Sequence, residues 1–206
     1  KEIYGLLGLY IVIANKNENI KEMKLLFKEM FHCMKVISDN ESPDNKKFFE
    51  SEEQMISFGQ LMGDCLKTVG INKEHQLATI EERNKNGQID QEDEDEIKLE
   101  LYKITGCATY INECADMIMN TYGKTSADIM NQHVKPYFST VLTQYKTVSD
   151  RELQDATFFF MEYVDKVDSS DFMLILQLCQ QFAEVCLWAK PEMTDVKQNA
   201  VYGIGV

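Results

Sequence analysis

Helix breakers are scarce in this 206-residue chain: it has three prolines and ten glycines. Little therefore obliges a helix to stop, and the many Leu, Met, Lys, Glu and Gln residues favour helices throughout. Positive charge is also short, with 21 Lys and Arg against 34 Asp and Glu, a net charge of −13. A chain of that sign repels phosphate backbones and anionic headgroups. Neither nucleic acid nor a membrane is expected as a partner, and basic proteins or peptides are favoured. No uncharged apolar run approaches the roughly 20 residues that a membrane span needs. The apolar opening "IYGLLGLYIVIA" (3–14) is too short for that. It also lacks the basic start and the cleavage site of a signal peptide, and reads as a buried helix.

CxxC spacing is absent from the six cysteines, Cys33, Cys65, Cys107, Cys114, Cys179 and Cys186. Cys107/Cys114 and Cys179/Cys186 are each seven apart, which on a helix is the same face but roughly 10 Å away. A disulfide needs Cα atoms closer than about 7 Å, so the cysteines read as small core residues of an intracellular protein. His32, His75 and His133 stand isolated in sequence, and no HExxH, phosphate loop or GxSxG occurs. "GIGV" (203–206) follows no strand and is no dinucleotide fingerprint. The chain is therefore read as a non-enzyme with no cofactor.

Helical periodicity is what the sequence does have. Nine helical segments are read at about 1–14, 17–38, 51–69, 72–85, 94–122, 125–146, 150–166, 169–189 and 193–206. Two of them superpose at an offset of 43: in "SDRELQDATFFFMEYV" and "MTDVKQNAVYGIGV", Leu153 falls on Val196, Asp155 on Gln198 and Phe159 on Tyr202. That offset lies within the roughly 40–47 residue period of HEAT-type helix pairs. Pro136 is expected to kink its helix or mark its first turn. The ends of three second helices, at Val69, Tyr122 and Lys166, are 53 and 44 residues apart. One repeat is thus about nine residues too long, and its excess coincides with an acidic run.

The expectation is an all-α chain: a right-handed α-α superhelix, a HEAT-repeat solenoid of about five antiparallel helix pairs. It forms one array over 1–206, with an acidic loop inserted at 86–96. The absent starting Met and the helical pattern running into "VYGIGV" further suggest a piece of a longer solenoid.

The acidic run contains an outline of an EF-hand calcium loop, "ERNKNGQIDQED" (82–93), with Gly87 sixth and Ile89 eighth. The details count against it. Glu82 stands first and Asp93 twelfth, each the wrong length of acid, and Asn84 and Asn86 are neutral. Asp90, Glu92, Asp93, Glu94, Asp95 and Glu96 read instead as a self-repelling, solvated loop, with no metal assigned. Other acids fall on second helices at helical spacing: Glu113 with Asp116, and Asp155 with Glu162. If second helices line the concave side, these four face one groove and bind Lys or Arg of an extended partner. The Met- and Phe-rich stretches read as repeat core, although slots between outer helices could admit a partner's Phe.

Three stretches together carry a family likeness: "DVKQNAVYGIGV" (195–206), "YINECADMIMNTYGK" (110–124) and "VKPYFSTVL" (134–142), with the acidic run before them. The chain resembles the importin-β (karyopherin-β) nuclear transport receptors, and within them the importin beta-3 type. The resemblance is most specific over 102–206. It implies a segment that binds cargo bearing basic localisation signals, contacts Phe-Gly nucleoporins, and answers to Ran-GTP through the full-length receptor. It also implies shuttling between cytoplasm and nucleus. The family's Ran surface lies in N-terminal repeats, so no residue here is assigned to Ran. The stretch "NESPDNKKFF" (40–49) departs from a tight repeat. The alternative is a HEAT scaffold for another assembly, such as a phosphatase-type platform. A calcium-binding helical protein is a third reading.

Overall fold

The computed structural model describes residues 2–17, 19–89, 91–167 and 172–205. Among these residues every regular element is helical: α1 (Glu2–Ala14), α2 (Ile20–Asn40), α3 (Glu52–Lys85), α4 (Gln91–Tyr122), α5 (Lys124–His133), α6 (Lys135–Thr143), α7 (Asp150–Lys166), α8 (Phe172–Trp188) and α9 (Thr194–Gly205). A single 3-10 turn, Pro43–Asn45, lies between α2 and α3.

Side-chain caps set several starts. Asn19 accepts from the Lys21 N–H at α2, and Ser51 accepts from the Gln54 N–H at α3. At α7 Ser149 and Glu152 form a reciprocal capping box.

The helices divide into two rows. In one, α2 packs on α4, α4 on α7, and α7 on α9; in the other, α1 meets α3, α3 meets α5 and α6, and α6 meets α8. The rows join through α1 on α2, α3 on α4, α6 on α7 and α8 on α9. Neighbours in the first row run parallel. Thr109 and Asn112 of α4 reach Asp155, while Asp116, further along, faces Glu162. Likewise Gln154 of α7 meets Asp195 of α9, and Thr157 meets Asn199. Each pair is thus repeated by translation onto the next.

The structure differs from the sequence reading at three places. Residues 51–69 and 72–85 are one 34-residue helix, because Gly70 costs a helix only about 1 kcal/mol and no proline intervenes. Segment 125–146 is two helices meeting at Val134, since Pro136 lacks an N–H and its ring crowds the carbonyl four residues back. These changes give four pairs, not about five. Third, the acidic run is not a loop over 86–96. Helix α4 begins at Gln91, so Asp93 and Glu96 lie in its first turns, where the helix dipole favours acids. Asp90 and the side chains of Glu92, Glu94 and Asp95 lie outside the described residues. The extra length of this repeat extends α3 and α4 together: from Gly70 to Lys85 no described residue of α3 is buried.

The same segment departs from an EF-hand loop. Glu82–Lys85 end α3, Gly87 turns the chain at φ +64°, and Asp93 pairs with Arg83 at 3.6 Å. The first and twelfth positions stand on separate helices.

The core is continuous, and the 40–49 excursion belongs to it. Phe48 and Phe49 are buried, and both their N–H groups donate to the Tyr122 hydroxyl, at 2.8 and 3.2 Å. The opening apolar helix is buried on one face only: Leu7, Ile11 and Ala14 are covered, while Leu6, Leu9, Val12 and Ile13 are exposed.

Two glycines of α3 separate packing from propensity. A Cβ on Gly63 would lie 2.8 Å from the His133 carbonyl oxygen, whereas one on Gly70 meets nothing within 4 Å. Gly63→Ala is expected to destabilise by about 1–3 kcal/mol. Gly70→Ala should stabilise by about 0.5–1 kcal/mol. Urea denaturation of the two variants checks both signs, and equal shifts would contradict the close approach of α3 to α5.

Candidate functional site

The two helices bearing the sequence-predicted acids lie side by side, with Glu113 and Asp116 on α4 and Asp155 and Glu162 on α7. The parallel run matches them in order. The charge of Glu113 acts on Asp155, and that of Glu162 on Asp116. The four acids therefore lie near one another along one seam, with Glu113 and Asp155 lining the same cleft.

They are not equally free. Asp155 is only 7% exposed. Its Oδ2 accepts from Thr109 Oγ1 at 2.7 Å, and Arg151 Nε lies 3.5 Å from Oδ1. Burial lifts its carboxyl to about 6, against the pull of the Thr109 hydrogen bond and the Arg151 charge. Asp155 thus helps to hold α4 to α7, and less of it is open to a partner than the sequence suggests. Asp116 is half-buried and also lifted to about 6, first by burial and then by the Glu162 charge. Asn120 Nδ2 donates to it at 2.7 Å. Burial raises the Glu113 carboxyl as well, with Arg151 and Lys35 opposing.

Where α4, α7 and α9 meet, the seam opens into a cleft of about 340 Å³. Glu113, Asp155 and Asp195 line it with Arg151, giving three carboxylates against one guanidinium. The Asn112 side chain sends Nδ2 to the Asp155 carbonyl at 2.8 Å, and its Oδ1 has no hydrogen-bond partner. The sequence reading missed Asp195 and Arg151. The 43-residue overlay does place Asp195 on Glu152, so repetition marked it as a second-helix acid. Arg151 was legible too: it stands four residues before Asp155 on α7, the spacing at which opposite charges pair on one helix face. Such an arrangement holds cations and hydrogen-bond donors; it offers no nucleophile paired with a base.

A larger cleft of about 560 Å³ lies in the other row, between α3 and α5/α6. Leu66, Ile71, Leu77, Pro136, Tyr137 and Val141 give it an apolar wall. The Tyr137 hydroxyl is buried without a partner, and burial raises it above the usual phenol range. Beside it, Lys73 of α3 forms an ion pair with Glu152 of α7. His133 lines this cleft; His75 and His32 lie elsewhere, on α3 and α2. Of the acidic run, Asp93 is engaged with Arg83 and Glu96 is exposed. Among the described residues no cluster of three or more metal-ligating side chains forms, and no helix is long and apolar enough to cross a membrane.

Comparison of the chain with protein-family models, with curated proteins and with solved structures found no match.

The lifted acids set a pH dependence. In the folded chain Asp116 and Asp155 bind a proton near 6, while an unfolded aspartate does so near about 4. Between those values the folded state holds more protons, so these groups make stability fall as pH rises through that window. The thermal midpoint should be higher at about pH 5 than at about pH 7. Asp116→Asn should raise the midpoint at neutral pH by a few degrees and flatten part of the slope, read by scanning calorimetry. A variant with the parent's slope would remove Asp116 from the account.

Proposed function

We propose that this chain is a segment of a nuclear transport receptor of the importin-β kind, which holds an extended basic segment of its cargo against its second helices. In this reading the four pairs are consecutive HEAT repeats of a right-handed α-α superhelix. Carriage through the pore and release by Ran-GTP belong to the full-length receptor. The observation behind it is the convergence of Glu113, Asp116, Asp155, Glu162 and Asp195 on the stacked helices α4, α7 and α9. Carboxylates partly stripped of water and repelling one another favour incoming cations, because each charge-assisted hydrogen bond relieves that repulsion. The net charge of −13 adds long-range attraction for basic partners.

The apolar cleft between α3 and α5/α6 supports the same reading from the other row. Its volume of about 560 Å³ and its wall of Leu66, Ile71, Leu77 and Val141 suit a Phe side chain of a Phe-Gly nucleoporin. Shuttling between cytoplasm and nucleus follows from the reading.

The alternative is a HEAT scaffold for another assembly, such as a phosphatase platform. The exposed Phe172, Met173, Leu187 and Trp188 on α8 favour it, because fixed subunits bury such residues. The two readings differ in what binds: a reversible basic peptide, or a permanent subunit.

Fluorescence anisotropy with a labelled Lys/Arg-rich localisation peptide tests the proposal, with a same-charge scrambled peptide as control. The expectation is saturable binding that prefers the true signal. Asp116→Lys and Glu162→Lys should each weaken it about tenfold, or ~1.4 kcal/mol. Equal binding of both peptides that fades at physiological salt would reduce the acids to a solvated face.

A further inference from the structure

Two thiols meet in the core where sequence spacing gave no hint of pairing. Cys65 of α3 and Cys107 of α4 are 42 positions apart, yet their Sγ atoms approach to 3.3 Å. Both are buried, and no disulfide joins them. We propose that Cys65 and Cys107 are a redox couple that closes, under peroxide, into a reversible disulfide locking α3 to α4.

The geometry is close to what the bond needs. The sulfurs must draw together by only roughly 1.3 Å to reach disulfide length. Access is from one side. Cys65 lines a cleft of about 210 Å³ between the α1–α2 turn and α3, with Asn15, Asn17 and Asp64 around it. Cys107 is fully enclosed. Cys65 therefore reacts first. Its thiolate attacks a peroxide oxygen and the O–O bond breaks. The departing hydroxide takes up the thiol's proton, leaving water and a sulfenic acid on Cys65. The Cys107 sulfur then attacks the Cys65 sulfur and the S–S bond forms. The sulfenic hydroxyl leaves with the Cys107 proton as a second water. The two thiols lose two electrons in total, and the peroxide gains them. A reducing thiol reverses the change by exchange.

The resting pair stays reduced for the same structural reasons. Contact with Cys107, and then burial, raise the Cys65 thiol far above its ordinary value, so little thiolate is present. Oxidation is therefore slow in the closed fold, and faster at high pH or when α3 and α4 loosen. The other cysteines have no such neighbour: Cys114 contacts the Phe27 carbonyl at 3.9 Å, and Cys179 and Cys186 lie seven apart on α8. The effect of closing is mechanical. Four helix pairs can flex where pairs slide, and the bond fixes one of them. This inference does not depend on the cargo reading above.

The test uses the whole chain treated with hydrogen peroxide. Remaining thiols are alkylated in denaturant and the digest is mapped by mass spectrometry. The expected product is a peptide pair linked through Cys65 and Cys107, cleaved by dithiothreitol. In Cys107→Ser the Cys65 sulfenic acid should persist and be captured by dimedone. The oxidised chain should also melt roughly 5–10 °C higher, reverting on reduction. Recovery of both Cys65 and Cys107 as alkylated thiols, while Cys179 and Cys186 oxidise, would overturn the proposal. So would a linked peptide that joins other cysteines. The unsubstituted chain decides the matter alone, so the variant need not fold.

Discussion

Everything else in this molecule leans on the enclosure of α4. It is packed by α2, α3, α5 and α7, so its inner half is covered on every side but the one that carries the acids. Its sequence suits that position. Cys107, Ala108, Cys114 and Ala115 are small and almost wholly buried, which lets neighbouring helices approach closely. Ile111, Ile118 and Met119 fill the intervals. Aromatic clusters seal the flanks. Phe27, Phe49 and Phe58 sit within 6.0 Å ring to ring, and Phe49 stacks on Tyr122 at the end of α4. Between α6 and α7, Phe138, Phe159 and Tyr163 stack at 4.9 and 5.7 Å. Neither cluster could close without the helix between them, because a lone helix pair cannot bury its own apolar faces.

The acidic seam follows from the same packing. The helices that turn apolar stripes inward must carry their polar residues on the outer side, and parallel stacking then sets like against like. Glu113 beside Asp155 and Asp116 beside Glu162 are a result of register as much as of composition. Packing also explains why the seam is uneven. Asp155 lies deep enough to be drawn into the α4–α7 contact through Thr109, while Asp116 and Glu162 keep an open side.

The helical class and most helix positions were legible because periodicity, caps and scarce breakers all point one way. The break at Val134 was foreshadowed by Pro136, which bars a continuous helix whatever surrounds it. The unbroken α3 was not legible, since a glycine weakens a helix without forbidding it and tertiary context decides. The acidic run misled for a related reason: acids and turn residues suggest a loop, yet the same acids stabilise a helix start. The grouping of Glu113, Asp116, Asp155 and Glu162 could be read from spacing once second helices were assumed to share a face. The pairing of Arg151 with Asp155 follows from their i,i+4 spacing on α7, whereas the meeting of Cys65 with Cys107 depends on a contact between helices, and a single sequence holds no direct trace of that. The place of Phe48 and Phe49 was hidden likewise, because their anchor, Tyr122, lies more than seventy positions away.

Helix α3 keeps one backbone hydrogen-bonding pattern from Glu52 to Lys85, but its surroundings change at Gly70. Before that point Phe58, Leu61, Met62, Cys65, Leu66 and Val69 are buried; after it none of its residues is. Its partner behaves the same way: Leu99 is exposed, and among the described residues of α4 Ile104 is the first that is buried. One continuous hairpin thus has a buried half and an exposed half. Its outer half has few buried contacts, the condition under which local opening costs least. Its inner half, with its side chains in the core, needs the largest opening to expose its amides. A single helix here runs through two environments, and the boundary between them lies where its side chains leave the core.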